Sequence, residues 1–178
     1  MQYNYISNNS NIQIVHSNEM WIRNGVRVNQ MKKHKKSGGD QFKRSLELCC
    51  ISPSSVCIEK VFFERLGGFR EDFEVCEDYD LWLRVTKDHL IGFIETPLII
   101  KYGGHEDQLS RKLKAMDLYR IKSILFIMKN NLSIEQRKSC ASTFLKKFTI
   151  LEKGYKKHNR IEELSSLQLL LSEFESLI

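Results

Sequence analysis

With 178 residues, 42% of them hydrophobic and 28% charged, the chain is long enough for one domain with its own core and polar enough to be globular. Its most apolar runs, such as Ile124 to Met128, are far too short to span a bilayer, and the polar start MQYNYISNNSNIQ lacks the apolar core of a secretion signal. The net charge of +6 is uneven: residues 23–44 sum to +7, residues 45–110 to −7 and residues 111–178 to +7, with Glu19 the remaining acid. An acidic body between basic flanks excludes a chain that coats nucleic acid over its whole surface.

Residues 11–16, NIQIVH, read as a short strand. In MWIRNGVRV, Asn24-Gly25 separates two extended, partly apolar runs, and this dipeptide tolerates the positive φ of a tight turn, so a hairpin is predicted. The stretch QMKKHKKSGGDQFKR is basic, contains Gly38-Gly39 and shows no periodicity, which predicts a mobile loop. ISPSSVCI reads as a turn into a buried strand, and EKVFFERLGG as a short helix that Gly67 or Gly68 ends. A loop follows with Phe69 anchored, then one or two strands in LIGFIETPLIIKY with Pro97 at an edge or bend. GGHEDQLSRK reads as a turn into a helix.

Beyond Ser110 the apolar spacing becomes helical, through Leu113, Met116, Ile121, Ile124, Leu125 and Met128. Ser133 and Gln136 fit a capping box for a second helix, ended by Gly154, and Ile161, Leu164, Leu167, Leu171 and Phe174 mark a third. The expected organisation is an α/β domain over 1–110 and a helical appendage over 111–178. The five cysteines are odd in number and contain no C-x-x-C, which argues for reduced thiols in a cytoplasmic protein and against a zinc site.

The stretch CEDYDLWLR places Glu77, Asp78 and Asp80 directly before Leu81, Trp82 and Leu83. Acids crowd tolerably at a helix start, where unpaired N–H groups and the dipole favour negative charge. In a helix, Asp78, Leu81, Trp82 and Val85 share one face, while Asp80 can pair with Arg84. A carboxylate at the head of an apolar stripe, fixed by Trp82, suits a general base; the same acids also suit plain capping.

The longer run ISPSSVCIEKVFFERLGGFREDFEVCEDYDLWLRV resembles the acceptor-side half of family 2 glycosyltransferases, which have the GT-A fold. The likeness lies in the order of a Ser-Pro-Ser strand, a short helix, Gly-Gly-Phe, an acidic loop and Glu-Asp-Tyr-Asp-Leu-Trp-Leu-Arg. KYGGHEDQLSR is similar to the segment that follows, and HSNEMWIRNGVRVNQMKKHKKSGG looks like a linker one subgroup carries; together they cover residues 12–112. The resemblance implies a partial GT-A-like mixed sheet with flanking helices. It also implies inverting transfer of a sugar from a nucleotide-sugar donor to a hydroxyl acceptor in glycan or polysaccharide synthesis. It makes Asp78 the base that takes the acceptor proton and Glu77 its helper in placing the acceptor, with Trp82 and Arg84 beside them as substrate-side residues or as supports of the helix. His105, after Gly103 and Gly104, would face the donor diphosphate or its metal, or be an ordinary loop histidine. Lys32, Lys33, Lys35 and Lys36 would draw in an anionic ligand or form a solvated loop beside His34.

The family also carries a nucleotide-binding half ending in an Asp-x-Asp motif for Mg²⁺ or Mn²⁺. The only such triplet here, Asp78-Tyr79-Asp80, sits inside the Glu-Asp motif, and the residues before Asn11 are too few to supply that half. The leaving diphosphate must be neutralised for transfer to be fast, so activity is expected to require a donor-binding half, either separately encoded or part of a longer reading frame. The alternative is a non-catalytic binding or scaffolding module acting through the basic loop and tail. No nucleic-acid partner is expected, because the basic loop has no interleaved aromatics. Peripheral membrane contact stays open.

Overall fold

Asn24 and Gly25 take φ values of +50° and +75°, the two left-handed conformations that a two-residue hairpin turn requires. In the computed structural model, which describes residues 1–103 and 116–178, this turn joins strand β1 (Ile14–Arg23) to β2 (Val26–Val28), with Trp21 opposite Val28. The first half of β1 pairs antiparallel with β3 (Val56–Ile58), on the same edge as β2. Along its other edge runs β4 (Gly92–Gly103), parallel to it. The result is a four-stranded mixed sheet with β1 at its centre and helices around it, an α/β architecture. The register of β4 against β1 shifts on either side of Asn18, and Pro97 sits at that irregularity, where a missing N–H is tolerated.

β1 starts at Ile14 and joins the expected short strand and the first arm of the expected hairpin into one strand. Its polar residues His16, Ser17 and Glu19 are buried, so the sequence pattern ended where the strand did not. Two short helices were also not expected: α1 (Gln2–Ser7), tied down by Gln2 Nε2 donating to the Ser55 carbonyl at 2.6 Å, and α2 (Phe42–Glu47). α2 begins inside the stretch expected to be a mobile loop and runs three residues past its end. Phe42 and Leu46 anchor it in the core, and Lys36 is only 7% exposed. Close approach fixes the two-glycine turn of this stretch as well, since a Cβ on Gly38 would lie 2.7 Å from the Ile91 carbonyl oxygen.

α3 (Lys60–Arg65) gives way to Gly67 and Gly68, both at positive φ, as expected. Phe69, expected to be anchored, is 42% exposed, and its ring packs edge-on with Phe63 at a centroid distance of 5.5 Å. α4 (Glu77–Thr86) follows, and then α5 (Met116–Met128), α6 (Ile134–Lys157) and α7 (Ile161–Glu175). The Ser133–Gln136 capping box forms at 3.0 and 3.2 Å. Gly154 does not end α6; the helix runs on to Lys157, and the chain turns at Asn159, which has φ +52°. Among the described residues, no helix is long and apolar enough to cross a membrane.

α4 is the partition of the molecule. Leu81, Trp82 and Val85 pack with Ile14, Ile51 and Phe62 beside the sheet. Tyr79 and Leu83 face a larger cluster with Phe42, Leu46 and the buried faces of α5, α6 and α7. Helices α5–α7 therefore share one core with α2 and α4. Each large side chain buried there is worth roughly 1.5–3 kcal/mol, and Phe144 and Phe174 stack with centroids 4.2 Å apart.

Candidate functional site

The turn into α4 is made by Cys76, a non-glycine residue at φ +63°, ψ +20°. This left-handed conformation costs about 1–2 kcal/mol, and the burial of Cys76 in the larger cluster holds it there. The sharp turn brings Glu77 and Asp78 to the open end of the helix, where both are half-buried.

Asp78 is oriented from two sides. Its Oδ2 accepts from the Cys49 thiol at 3.2 Å, and its Oδ1 accepts from the Tyr79 N–H at 2.7 Å. Burial pushes the Cys49 thiol up, and the Asp78 carboxylate pushes it further, so the thiol stays protonated and stays a donor. Next along the helix, the Tyr79 hydroxyl donates to the Leu46 carbonyl at 2.7 Å inside the core.

Asp80 serves a different purpose. It is 1% exposed and accepts from Arg84 Nε at 2.8 Å, with Arg70 a further 3.9 Å away. Burial raises its carboxyl, and the two guanidinium groups oppose that shift. Arg84 also donates to the carbonyls of Leu66 and Gly68, pinning the end of α3 to α4. Trp82 is 2% exposed in the sheet-side cluster. Both residues named as substrate-side candidates thus do structural work here: Arg84 as a clamp, Trp82 as core. Gly104 and His105 lie outside the described residues.

A second polar cluster was not singled out from the sequence. Glu19 on β1, with its side chain 1% exposed, lies 3.4 Å from Lys36 Nζ and 3.7 Å from Lys101 Nζ. Its Oε1 accepts from the Trp21 indole at 2.8 Å. Lys36 Nζ donates to the Cys50 carbonyl at 3.0 Å and to Ser52 Oγ at 2.7 Å, and Lys101 Nζ reaches the same Ser52 Oγ at 2.8 Å. Burial alone would raise the Glu19 carboxyl, but Lys36 and Lys101 reverse that and hold it below the usual range. Burial lowers the Lys36 ammonium, with Glu19 opposing. Glu19, Lys36 and Trp21 of this cluster line an open cavity of about 550 Å³, together with Gln30, Phe93 and Glu95 among others. Of the basic loop, then, Lys36 is a buried structural cation, whereas Lys32, Lys33 and Lys35 are exposed. The only sequence signal for this cluster was Glu19 and Trp21 at i, i+2 on one strand face.

Residues 49–52 connect the two clusters. Cys49 holds Asp78, while Cys50 and Ser52 hold Lys36. Among the described residues, no group of three or more His, Cys, Asp or Glu side chains converges as a metal site. The one Asp-x-Asp is divided between Cys49 and Arg84, so it does not fit the Mg²⁺ or Mn²⁺ that the sequence resemblance implies. No family model, no curated protein and no solved structure matches this chain.

Proposed function

We propose that the chain is the acceptor-side half of a family 2 glycosyltransferase with a GT-A-like sheet, acting in the cytoplasm on a nucleotide-sugar donor and a hydroxyl acceptor in glycan or polysaccharide synthesis. The observation that supports this most is the placement of Asp78: half-buried at the head of α4, one oxygen held by a thiol that stays protonated. On this reading the Asp78 carboxylate takes the proton of the acceptor hydroxyl. That oxygen forms its bond to the anomeric carbon while the bond to the diphosphate breaks, and the configuration inverts. Glu77, on the same turn, helps to place the acceptor.

The charge on the departing diphosphate is met, on this reading, by a donor-binding part that lies outside these 178 residues. The test is sugar transfer from a panel of nucleotide sugars, with the chain joined to a donor-binding half. The joined protein transfers sugar, and Asp78→Asn abolishes transfer while the circular dichroism spectrum and melting curve stay unchanged. Full activity in Asp78→Asn removes Asp78 as the base. The second reading, a binding or scaffolding module, is favoured by the lysine-rich outer face of α6, and it gains if no donor half restores transfer.

A further inference from the structure

Helix α6 has 24 residues and two working faces. One, through Cys140, Phe144, Phe148, Leu151 and Tyr155, is buried in the larger core. The other carries Lys138, Lys146, Lys153, Lys156 and Lys157, all exposed. At the α-helical pitch these five fall in one sector about 100° wide, on a rod roughly 36 Å long. Glu135 and Glu152 are the acids of this helix, and they meet Lys138 at 3.6 Å and Lys156 at 2.9 Å. Among the described residues, Lys146, Lys153 and Lys157 have no carboxylate within ion-pair distance. Lys43 of α2 joins Lys138 and Lys146 around one shallow depression, which Glu47 and Glu135 also line. Leu145 and Ile150, 47% and 62% exposed, flank the lysines on either side.

A helix that only covers a core needs a polar outer face, and alternating charges satisfy that with favourable i, i+4 pairs. Lysines of one sign, with two aliphatic side chains left in water beside them, instead suit an anionic surface. Three features choose the kind of surface. The charge lies along a straight line, which matches a plane. It is all lysine, a compact point charge, with no guanidinium fork to grip individual phosphates. The strip has no aromatic side chain on which a base could stack, whereas Leu145 and Ile150 can enter a headgroup layer.

We propose that this face of α6 lies on an anionic lipid bilayer, with the lysines among the headgroups and Leu145 and Ile150 at their base. The test is co-sedimentation of the full chain with phosphatidylcholine vesicles, with and without phosphatidylserine, at low and high salt; it needs no transfer activity. Binding is expected only to the phosphatidylserine vesicles, falling steeply with salt. Each lysine at such a surface strengthens binding by about fivefold, so Lys146→Gln with Lys153→Gln weakens it at least tenfold. Lys32→Gln with Lys33→Gln, in the other basic stretch, leaves it unchanged. Equal binding to both vesicle types, or no binding, overturns the proposal. So does wild-type binding by the α6 double variant, equal loss in the Lys32/Lys33 variant, or binding to a DNA duplex but not to vesicles.

Discussion

The thiol of Cys49 donates to Asp78 Oδ2 across 3.2 Å, joining two residues that are 29 positions apart. Through this contact the loop before β3 sets the direction of the carboxylate that opens α4. The contact has a chemical signature independent of any transfer reaction. Burial and the neighbouring carboxylate both raise the thiol, so little thiolate exists at neutral pH. Cys49 is therefore expected to resist iodoacetamide in the native protein and to react on unfolding. Asp78→Asn removes the anion and speeds native labelling of Cys49, read by mass spectrometry of the digested protein. Unchanged labelling in that variant means the two side chains do not interact in solution.

Glu19 and Lys36 form a buried pair, and breaking one side of such a pair is expensive. Glu19→Gln leaves Lys36 and Lys101 facing each other without a counter-charge, at a cost of about 3–5 kcal/mol. Lys36→Met leaves Glu19 with Lys101 alone, whose side chain is 37% exposed. The double variant is expected to cost less than the sum of the two singles, because the one charge then left unpaired, Lys101, is partly exposed to water. Urea denaturation of the four proteins measures this. Additive losses would show that the pair is not coupled.

Arg84 holds Asp80 and two backbone carbonyls at once. Arg84→Met strands a carboxylate that is 1% exposed, with Arg70 too distant to replace the hydrogen bond. The expected loss is roughly 3 kcal/mol. Adding Asp80→Asn restores part of it, because the stranded group is then neutral. Thermal melts decide; a loss that Asp80→Asn deepens would mean that the carboxylate is needed for more than Arg84.

Local chemistry made some elements legible. Asn24-Gly25, the Gly67-Gly68 stop and the Ser133–Gln136 box each rest on a few adjacent residues whose backbone demands are known, and each formed where the sequence placed it. What escaped notice depends on burial. His16, Ser17 and Glu19 look like the end of a strand, and Lys36 looks like a solvated loop cation, until the tertiary structure closes over them. Gly154 looks like a helix stop, but Leu151 and Tyr155 on either side of it pack into the core and carry the helix through. At the site, the Asp80–Arg84 pair follows from helical spacing. The Cys49–Asp78 contact spans distant segments, so no local pattern announces it.

His16 shows how far burial acts. It is 1% exposed, its Nε2 lies 2.9 Å from the Ser37 carbonyl, and its Nδ1 has no partner among the described residues. The ring stands 5.1 Å from Phe93. Burial takes its pKa from 6.5 down to about 4, the Ser37 carbonyl opposing and Lys36 assisting. The folded protein therefore holds a neutral imidazole at a pH where the unfolded chain is already protonated. Between those two values the unfolded state binds the extra proton, so stability falls as the pH is lowered through 6.5 and stops falling near 4. The contribution lost is about 3 kcal/mol over that interval. His16→Gln keeps a donor for Ser37 and removes the titration. Urea denaturation at pH values across the interval is expected to show a steep slope in the parent protein and a shallower one in the variant. Equal slopes would mean that the carboxylates, and not His16, carry the acid sensitivity.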